Sequence, residues 1–435
     1  MFRAISLLLL LFSLSSAITH FDSEPVVRVR VIHTLDTIKV RLDGNWNLQI
    51  NEDMTLPFAD STLLQFIRFG SGMTLVNIPS LSGQEFRHFS LSSMEDSAQI
   101  IMSDVPFGVG WWWGGQEDRL YEGIIHIYPN TEHLSVTIHL PLEQYLKGVV
   151  PYEIGGTSPA EALKAQAVAA RSEAVIALNS GLYGGDQHDL TSDVECQVFS
   201  GNHRRTEASD QAVDDTRGLV ISEDDTVIHA FYASNCGGRS ELIENVWSGR
   251  DRPATYQVSQ ADRKNWRGIK LNKNCLAKWW IRSSPNVYCN PSRQSSLPSW
   301  SQKNFRWSRE FETEEISSMI TNDDSLGKLK KIKILERGHS GRIIEAKFIF
   351  ENGAFEKQGE LAIRQLFSPS LRSSCFYVKK RGDTFTLHGA GWGHGVGMCQ
   401  SGAIAQASNG ISYDWILQHY YPAASILDIY GDALD

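Results

Sequence analysis

Leu140 to Gly181 reads LPLEQYLKGVVPYEIGGTSPAEALKAQAVAARSEAVIALNSG, and the fold turns on how this stretch is read. A hydrophobic approach ends at Val150, a Pro/Gly-rich loop holds Glu153, and a long Ala-rich helix follows. Ser158 as cap, Pro159 at the first helical position and Glu161 three residues after the cap predict an S-x-x-E capping box. Gly181 predicts the C-terminal stop. Apolar residues ring the helix between these signals, which is the pattern of a buried helix. Lys164 and Arg171 stand seven positions apart. At helical pitch that leaves them within about 20° of each other on one face, with Gln166 and Glu173 on the opposite side.

Two cations in line on a buried helix, shortly after a loop carboxylate, admit two readings. One is a structural ion pair with Glu153 or Glu161. The other is a site in which Glu153 acts as acid and base, its proton affinity set by burial and by Lys164 and Arg171.

A second motif, Gly391 to Ala403, reads GWGHGVGMCQSGA. Gly391, Gly393, Gly395 and Gly397 free the backbone for left-handed conformations and close approach to a ligand. A helix is expected from Gln400 to Asn409-Gly410, so the loop would offer backbone donors and a helix N-terminus to a polar or anionic group. On composition alone a tight turn around a structural His394 explains it as well. No strand–loop–helix unit with a downstream acid surrounds it, so it is not a dinucleotide fingerprint.

The strings YLKGVVPYE and ALKAQAVAAR resemble the stage II sporulation protein D family, and Gly391–Ala403 is similar almost letter for letter to that family's signature GWGHGVGMSQxGA. The family includes peptidoglycan lytic transglycosylases and proteins named amidase enhancers. The resemblance implies that Glu153 is the catalytic acid, with Lys164 and Arg171 contributing to activity. It also implies that Tyr152, Ser234, Gly393, His394, Gly395 and Gln400 line a glycan site; no metal and no cofactor are expected there. Two departures stand out. Glu153-Ile154-Gly155 replaces the commoner Glu-Met-Pro, and Cys399 replaces Ser. A thiol nucleophile at Cys399 with His394 as base is not needed by the chemistry attributed to the family. Some members hold zinc through His and Cys. Here only His188 and Cys196, with His203 beyond, are near, short of the four ligands of a closed site.

Glycosidic hydrolysis ordinarily takes two carboxylates. Near Glu153 the sequence offers Glu143 in the approach segment, Glu161 assigned to capping, and Glu173 on the far face. One carboxylate suffices when the substrate supplies its own nucleophile. The resemblance thus implies a transglycosylase cleaving MurNAc–GlcNAc bonds of denuded strands to 1,6-anhydro ends. Its alternative is a non-catalytic, peptidoglycan-binding enhancer of a cell-wall amidase.

The remaining sequence sets the frame. The chain has 435 residues and 42% hydrophobic residues, enough for a large core. Its formal charge of −9 argues against non-specific nucleic-acid binding. Arg3, the apolar run Ala4–Leu14 and Ser15-Ser16-Ala17 predict a signal peptide over 1–17, hence export to a periplasm or cell wall, with no membrane span after its removal. Six cysteines in an exported chain predict disulfides. Cys275 and Cys289 close a short loop and form one expected pair; Cys196–Cys236 and Cys375–Cys399 are the working assignment of the rest. An α+β fold is expected: a β-rich scaffold of hairpins, a long buried helix carrying the site, and a Gly-rich loop–helix near the C-terminus. The organisation reads as an N-terminal β-rich region (18–139), a core (140–246), a loop-rich excursion (247–303) and a C-terminal part (304–435). Within the first, VVRVRVI, IKVRL, the Asp43-Gly44 turn and WNLQI predict a hairpin, and the alternation of Tyr121–Tyr128 and Leu134–Leu140 around Pro129-Asn130 predicts another that delivers the chain to the Glu153 loop. Trp111-Trp112-Trp113 is an aromatic cluster, read as core or edge strand more than as a sugar platform.

Overall fold

The computed structural model describes residues 20–51, 53–95, 97–109, 114–247, 258–263 and 268–430; the expected signal segment and the Trp111-Trp112-Trp113 cluster lie outside these residues. The architecture is α+β, as expected. Among the described residues no helix is long and apolar enough to cross a membrane.

Two antiparallel-rich sheets build the N-terminal half. In strand Val26–Leu35 the alternation buries Val27, Val29 and Val31 and turns Arg28 and Arg30 outward. It pairs with Leu134–Pro141, setting Val27 opposite Leu140 and Val29 opposite Ile138. Leu134–Pro141 pairs on its other side with Ile124–Pro129, so the hairpin expected around Pro129-Asn130 is present. Asp43-Gly44 does turn the chain, with Gly44 at φ 89°. It does not close a hairpin. Thr37–Asp43 pairs with Leu63–Phe69 and Gln99–Phe107 in a five-stranded sheet. Trp46–Ile50 instead joins Met54–Phe58 and Phe89–Ser93 in a seven-stranded sheet. Alternation reveals which face of a strand is buried and leaves open which edge is partnered. The two sheets share one core, where the rings of Phe66 and Phe89 meet at 5.0 Å.

Leu134–Pro141 feeds directly into a helix, Leu142–Val150, whose first amide donates to the Pro25 carbonyl at 2.9 Å. After the Glu153 turn comes the long helix Ala160–Ser180. Gly181 ends it in the left-handed conformation at φ 62°, its amide on the Ala177 carbonyl. The expected capping box is absent. Pro159 occupies the cap position, the Ser158 hydroxyl donates to the Ile154 carbonyl at 2.7 Å, and Glu161 accepts from the Tyr413 amide at 2.7 Å. Ser158 is thus drawn back to brace the preceding turn, and Glu161 is used to seat the later helix Tyr413–Tyr420.

This long helix is apolar all round because it separates two cores. Leu163, Ala167, Ala170 and Ala174 pack toward the N-terminal sheets. Ala165, Val168 and Ala169 pack toward Ile221, Met398, Ala403, Ile416 and Leu417. Small side chains let elements approach it from both sides. A further core, with Trp307, Phe311, Phe348, Phe376 and Leu387, holds the C-terminal strands together.

The expected disulfides are not formed, and all six cysteines are free. Cys275 is exposed on the helix Asn274–Arg282, whereas Cys289 is buried beside Cys236, with sulfurs 3.7 Å apart. Cys399 packs in the same core and Cys375 in another. Short sequence spacing therefore did not bring Cys275 to Cys289.

Candidate active site

Glu153 sits in a single π-helical turn, Pro151–Gly155, that continues the helix Leu142–Val150. Isolated π turns recur at functional sites, because the extra residue pushes a side chain out of helical register. Here Pro151 and Ile154 are buried; Glu153 between them keeps part of its surface exposed while its carboxyl is enclosed by protein. Gly155 leaves the turn at φ 89°, a value open to glycine and closed to proline. The departure from Glu-Met-Pro therefore changes the backbone after the carboxylate. Thr206 anchors the exit, donating its hydroxyl to the Gly156 carbonyl at 2.8 Å.

The carboxylate is held from two sides. The Val198 amide donates to Glu153 Oε1 at 3.0 Å. That amide is in place because Cys196–Gly201 docks on the approach helix, where the Ser200 amide donates to the Gly148 carbonyl at 3.1 Å. A side chain at Gly148 would meet the Phe199 ring at 2.5 Å, so close docking requires glycine there. From the other side Gln400, first residue of helix Gln400–Ser408, brings its amide within hydrogen-bonding reach of Glu153. The same amide nitrogen donates to Gln166 Oε1 on the long helix at 3.1 Å. Burial pushes the Glu153 carboxyl up to about 7, against the lowering influence of the Val198 and Gln400 hydrogen bonds. Burial also pushes the Tyr145 and Tyr232 hydroxyls well above their ordinary value, and the charge of Glu153 adds to the effect. Tyr232 donates to Gln197 Oε1 at 2.7 Å.

Lys164 and Arg171 are not partners of Glu153. Lys164 lies 2.9 Å from Asp215 and 3.5 Å from Glu161. Arg171 is buried in a two-pronged pair with Glu143, at 2.6 and 2.9 Å, and also donates to the Leu219 carbonyl at 2.9 Å. The structural reading named Glu153 or Glu161 as partner: Lys164 does reach Glu161, whereas Arg171 pairs with neither and goes to Glu143. The pairing follows from the fold, which lays Glu143, in the first turn of the approach helix, against Arg171. The cationic groups near the turn are others: the Arg204 guanidinium lies 4.3 Å from the Tyr152 ring centre and that of Arg119 5.8 Å.

The glycine-rich loop serves its own packing first. A side chain at Gly395 would meet the Arg342 guanidinium at 2.4 Å, and one at Gly397 the Phe231 carbonyl at 1.9 Å. The Gly393 carbonyl accepts from Arg342 at 3.0 Å and the Gly395 carbonyl from the Glu241 amide at 2.8 Å. The immediate neighbours of Gly393 and Gly395 are thus protein groups. His394 accepts from the Val396 amide through Nδ1 at 3.0 Å. Burial, with Arg342 and Arg364 nearby, pushes its imidazole down to about 3, so the ring is neutral. The Ser234 hydroxyl accepts from Asn304 at 3.1 Å, and its carbonyl accepts from Ser401. Of the anticipated residues, the fold gathers Tyr152, Glu153 and Gln400. Gln166, Val198 and Arg204 were not anticipated. For Gln166 the one signal was a large polar side chain on an otherwise apolar helix.

The geometry defines an α+β protein with the raised carboxylate of Glu153 at the meeting of a π turn, a long buried helix and a glycine-loop helix. A family model described as stage II sporulation protein matches residues 130–222, which include Glu153 and Val198. A second, described as a domain of unknown function, matches 241–397. An uncharacterised protein of Brachyspira hyodysenteriae is 30% identical over 311 residues, covering 71% of this chain and 72% of that one. The amidase enhancer of Bacillus subtilis is 29% identical over 65% of this chain, a match that spans 40% of the enhancer's length. Stage II sporulation protein D of Bacillus amyloliquefaciens is 27% identical over 72% of this chain and 81% of its own. The chain belongs to the stage II sporulation protein D family.

Proposed function

We propose that the chain is an exported lytic transglycosylase of peptidoglycan in which Glu153 acts first as acid and then as base. The observation that carries this reading is the Glu153 carboxyl set in the π turn with the Val198 amide on its Oε1 at 3.0 Å, an enclosed place where burial pushes its proton affinity up to about 7. A group that must give and then take a proton works best when its affinity lies near the operating pH. Protonated Glu153 gives its proton to the glycosidic oxygen between MurNAc and GlcNAc as the C1–O bond breaks. The carboxylate then takes the proton of the MurNAc C6 hydroxyl, whose oxygen closes onto C1 as the 1,6-anhydro ring. The proton count is restored and no water is consumed.

A second carboxylate would favour hydrolysis, and the neighbouring ones are committed elsewhere: Glu143 to Arg171, Glu161 to Tyr413 and Lys164, Glu173 to His229. Tyr152, with Arg204 against its ring, is the candidate contact for sugar faces and the lactyl carboxylate. The enzyme and Glu153→Gln are incubated with denuded glycan strands. Anhydro-MurNAc ends from the wild type alone support the reading. The placement of Lys164 and Arg171 away from Glu153, with a relative named amidase enhancer, favours one second reading: a peptidoglycan-binding stimulator of an amidase. Strands left intact, with a cognate amidase accelerated equally by both proteins, would favour it.

A further inference from the structure

We propose that Cys236, Cys289, Cys399 and Asp262 form a structural zinc(II) site. Their three sulfurs and a carboxylate oxygen lie within 4.8 Å of one another, and all four residues are buried. They come from separate segments: the Ser234–Gly237 turn, the loop at 258–263, the loop after Val287, and the residue preceding helix Gln400–Ser408. The Cys236 and Cys289 sulfurs are 3.7 Å apart, too far for a disulfide of about 2.0 Å. Two sulfurs at the corners of a tetrahedron with arms of about 2.3 Å stand about 3.8 Å apart, which matches.

The surroundings suit thiolates and a cation. The Cys236 amide donates to Cys399 Sγ at 3.2 Å and the Gly238 amide to Cys236 Sγ at 3.3 Å. Cys399 occupies the cap position of its helix, where negative charge is favoured. Asp262 accepts from the Cys289 amide at 2.8 Å and from the Tyr420 hydroxyl at 2.7 Å. The His419 imidazole lies 3.9 Å from it. A buried carboxylate amid three buried sulfurs is costly without a positive centre. A side chain at Gly402 would strike Asp262 at 2.6 Å and Tyr420 at 2.1 Å, so the surrounding shell is closely built. Four protein ligands leave no open position, which marks a structural site rather than a catalytic one. Binding releases the thiol protons to solvent. The metal would join the turn around Cys236, the excursion and the helix that presents Gln400, independently of the reaction assigned to Glu153.

The full chain is exported in zinc-supplemented medium and purified without chelator, and its metal content is measured. About one zinc per chain is expected, replaceable by cobalt(II) with sulfur-to-cobalt charge-transfer absorption. Cys289→Ser should lose the metal, Cys275→Ser should keep it, and Tyr420→Phe should weaken binding about 10–100-fold. If Cys289→Ser does not fold, the wild-type zinc content and cobalt spectrum decide alone. A zinc-free chain overturns the site, whether its thiols are free or Cys236 and Cys289 are joined in a disulfide found by peptide mass spectrometry.

Discussion

Arg171 and Glu143, 28 positions apart, form a buried two-pronged ion pair that clamps the long helix to the helix approaching Glu153. Glu143 also accepts from the Tyr430 hydroxyl at 2.8 Å, which draws the C-terminal end of the described chain into the same knot. Arg171 is thereby tied to the helix Leu142–Val150, which runs into the Glu153 turn.

Removing one partner of such a pair strands a buried charge. Arg171→Met should lower unfolding free energy by about 3–5 kcal/mol in a urea titration. Arg171→Met with Glu143→Leu should recover a large part of that loss. Recovery of fold without recovery of activity would show that Arg171 does more than hold the helices.

Lys164 has a different status. Its partner Asp215 and its own ammonium are both partly exposed, and the hydrogen bond to Asp215 holds its pKa above the ordinary lysine value. Lys164→Ala should cost less than about 1 kcal/mol and leave turnover within about threefold of wild type. A loss of activity at unchanged stability would return Lys164 to the chemistry.

Burial gives Glu153 a proton affinity above that of the unfolded chain. The native state therefore binds more protons than the unfolded one between about pH 4.5 and the folded value near 7. Its contribution to stability is fully present below that window and is lost as pH rises through it. Relative to wild type, Glu153→Gln should gain about 1–3 kcal/mol above about pH 8 and little below about pH 4. The kcat/KM profile of the wild type should fall on the alkaline side with an apparent pKa near 7.

Gln400 holds that value down by hydrogen bonding to the charged form. Gln400→Leu should shift the alkaline limb of kcat/KM upward in pH and lower its plateau. A structural role alone would change the plateau and leave the pKa in place.

Legibility in the sequence divided along physical lines. Alternation in VVRVRVI and the hairpin around Pro129-Asn130 follow from local periodicity and were readable, as was the Gly181 stop. The partner exchange at Asp43-Gly44 was not, because period-two patterning is blind to the neighbouring edge. The burial of the long helix was legible from its apolar girdle, yet the destinations of Lys164 and Arg171 depended on Asp215 and Glu143, which only the tertiary fold brings near. Gln400 was reached through the family motif and Gln166 was marked only by its polarity on an apolar helix, whereas the Val198 amide carries no local signature. The glycine loop was recognisable as special, but the reason lay in Arg342 and Phe231, remote in sequence.

If Glu153 cuts the glycan without recruiting water, digestion of denuded strands in heavy-oxygen water should yield anhydro-MurNAc termini free of the heavy isotope, and none at all from Glu153→Gln. Reducing MurNAc termini carrying the heavy oxygen would contradict that proposal.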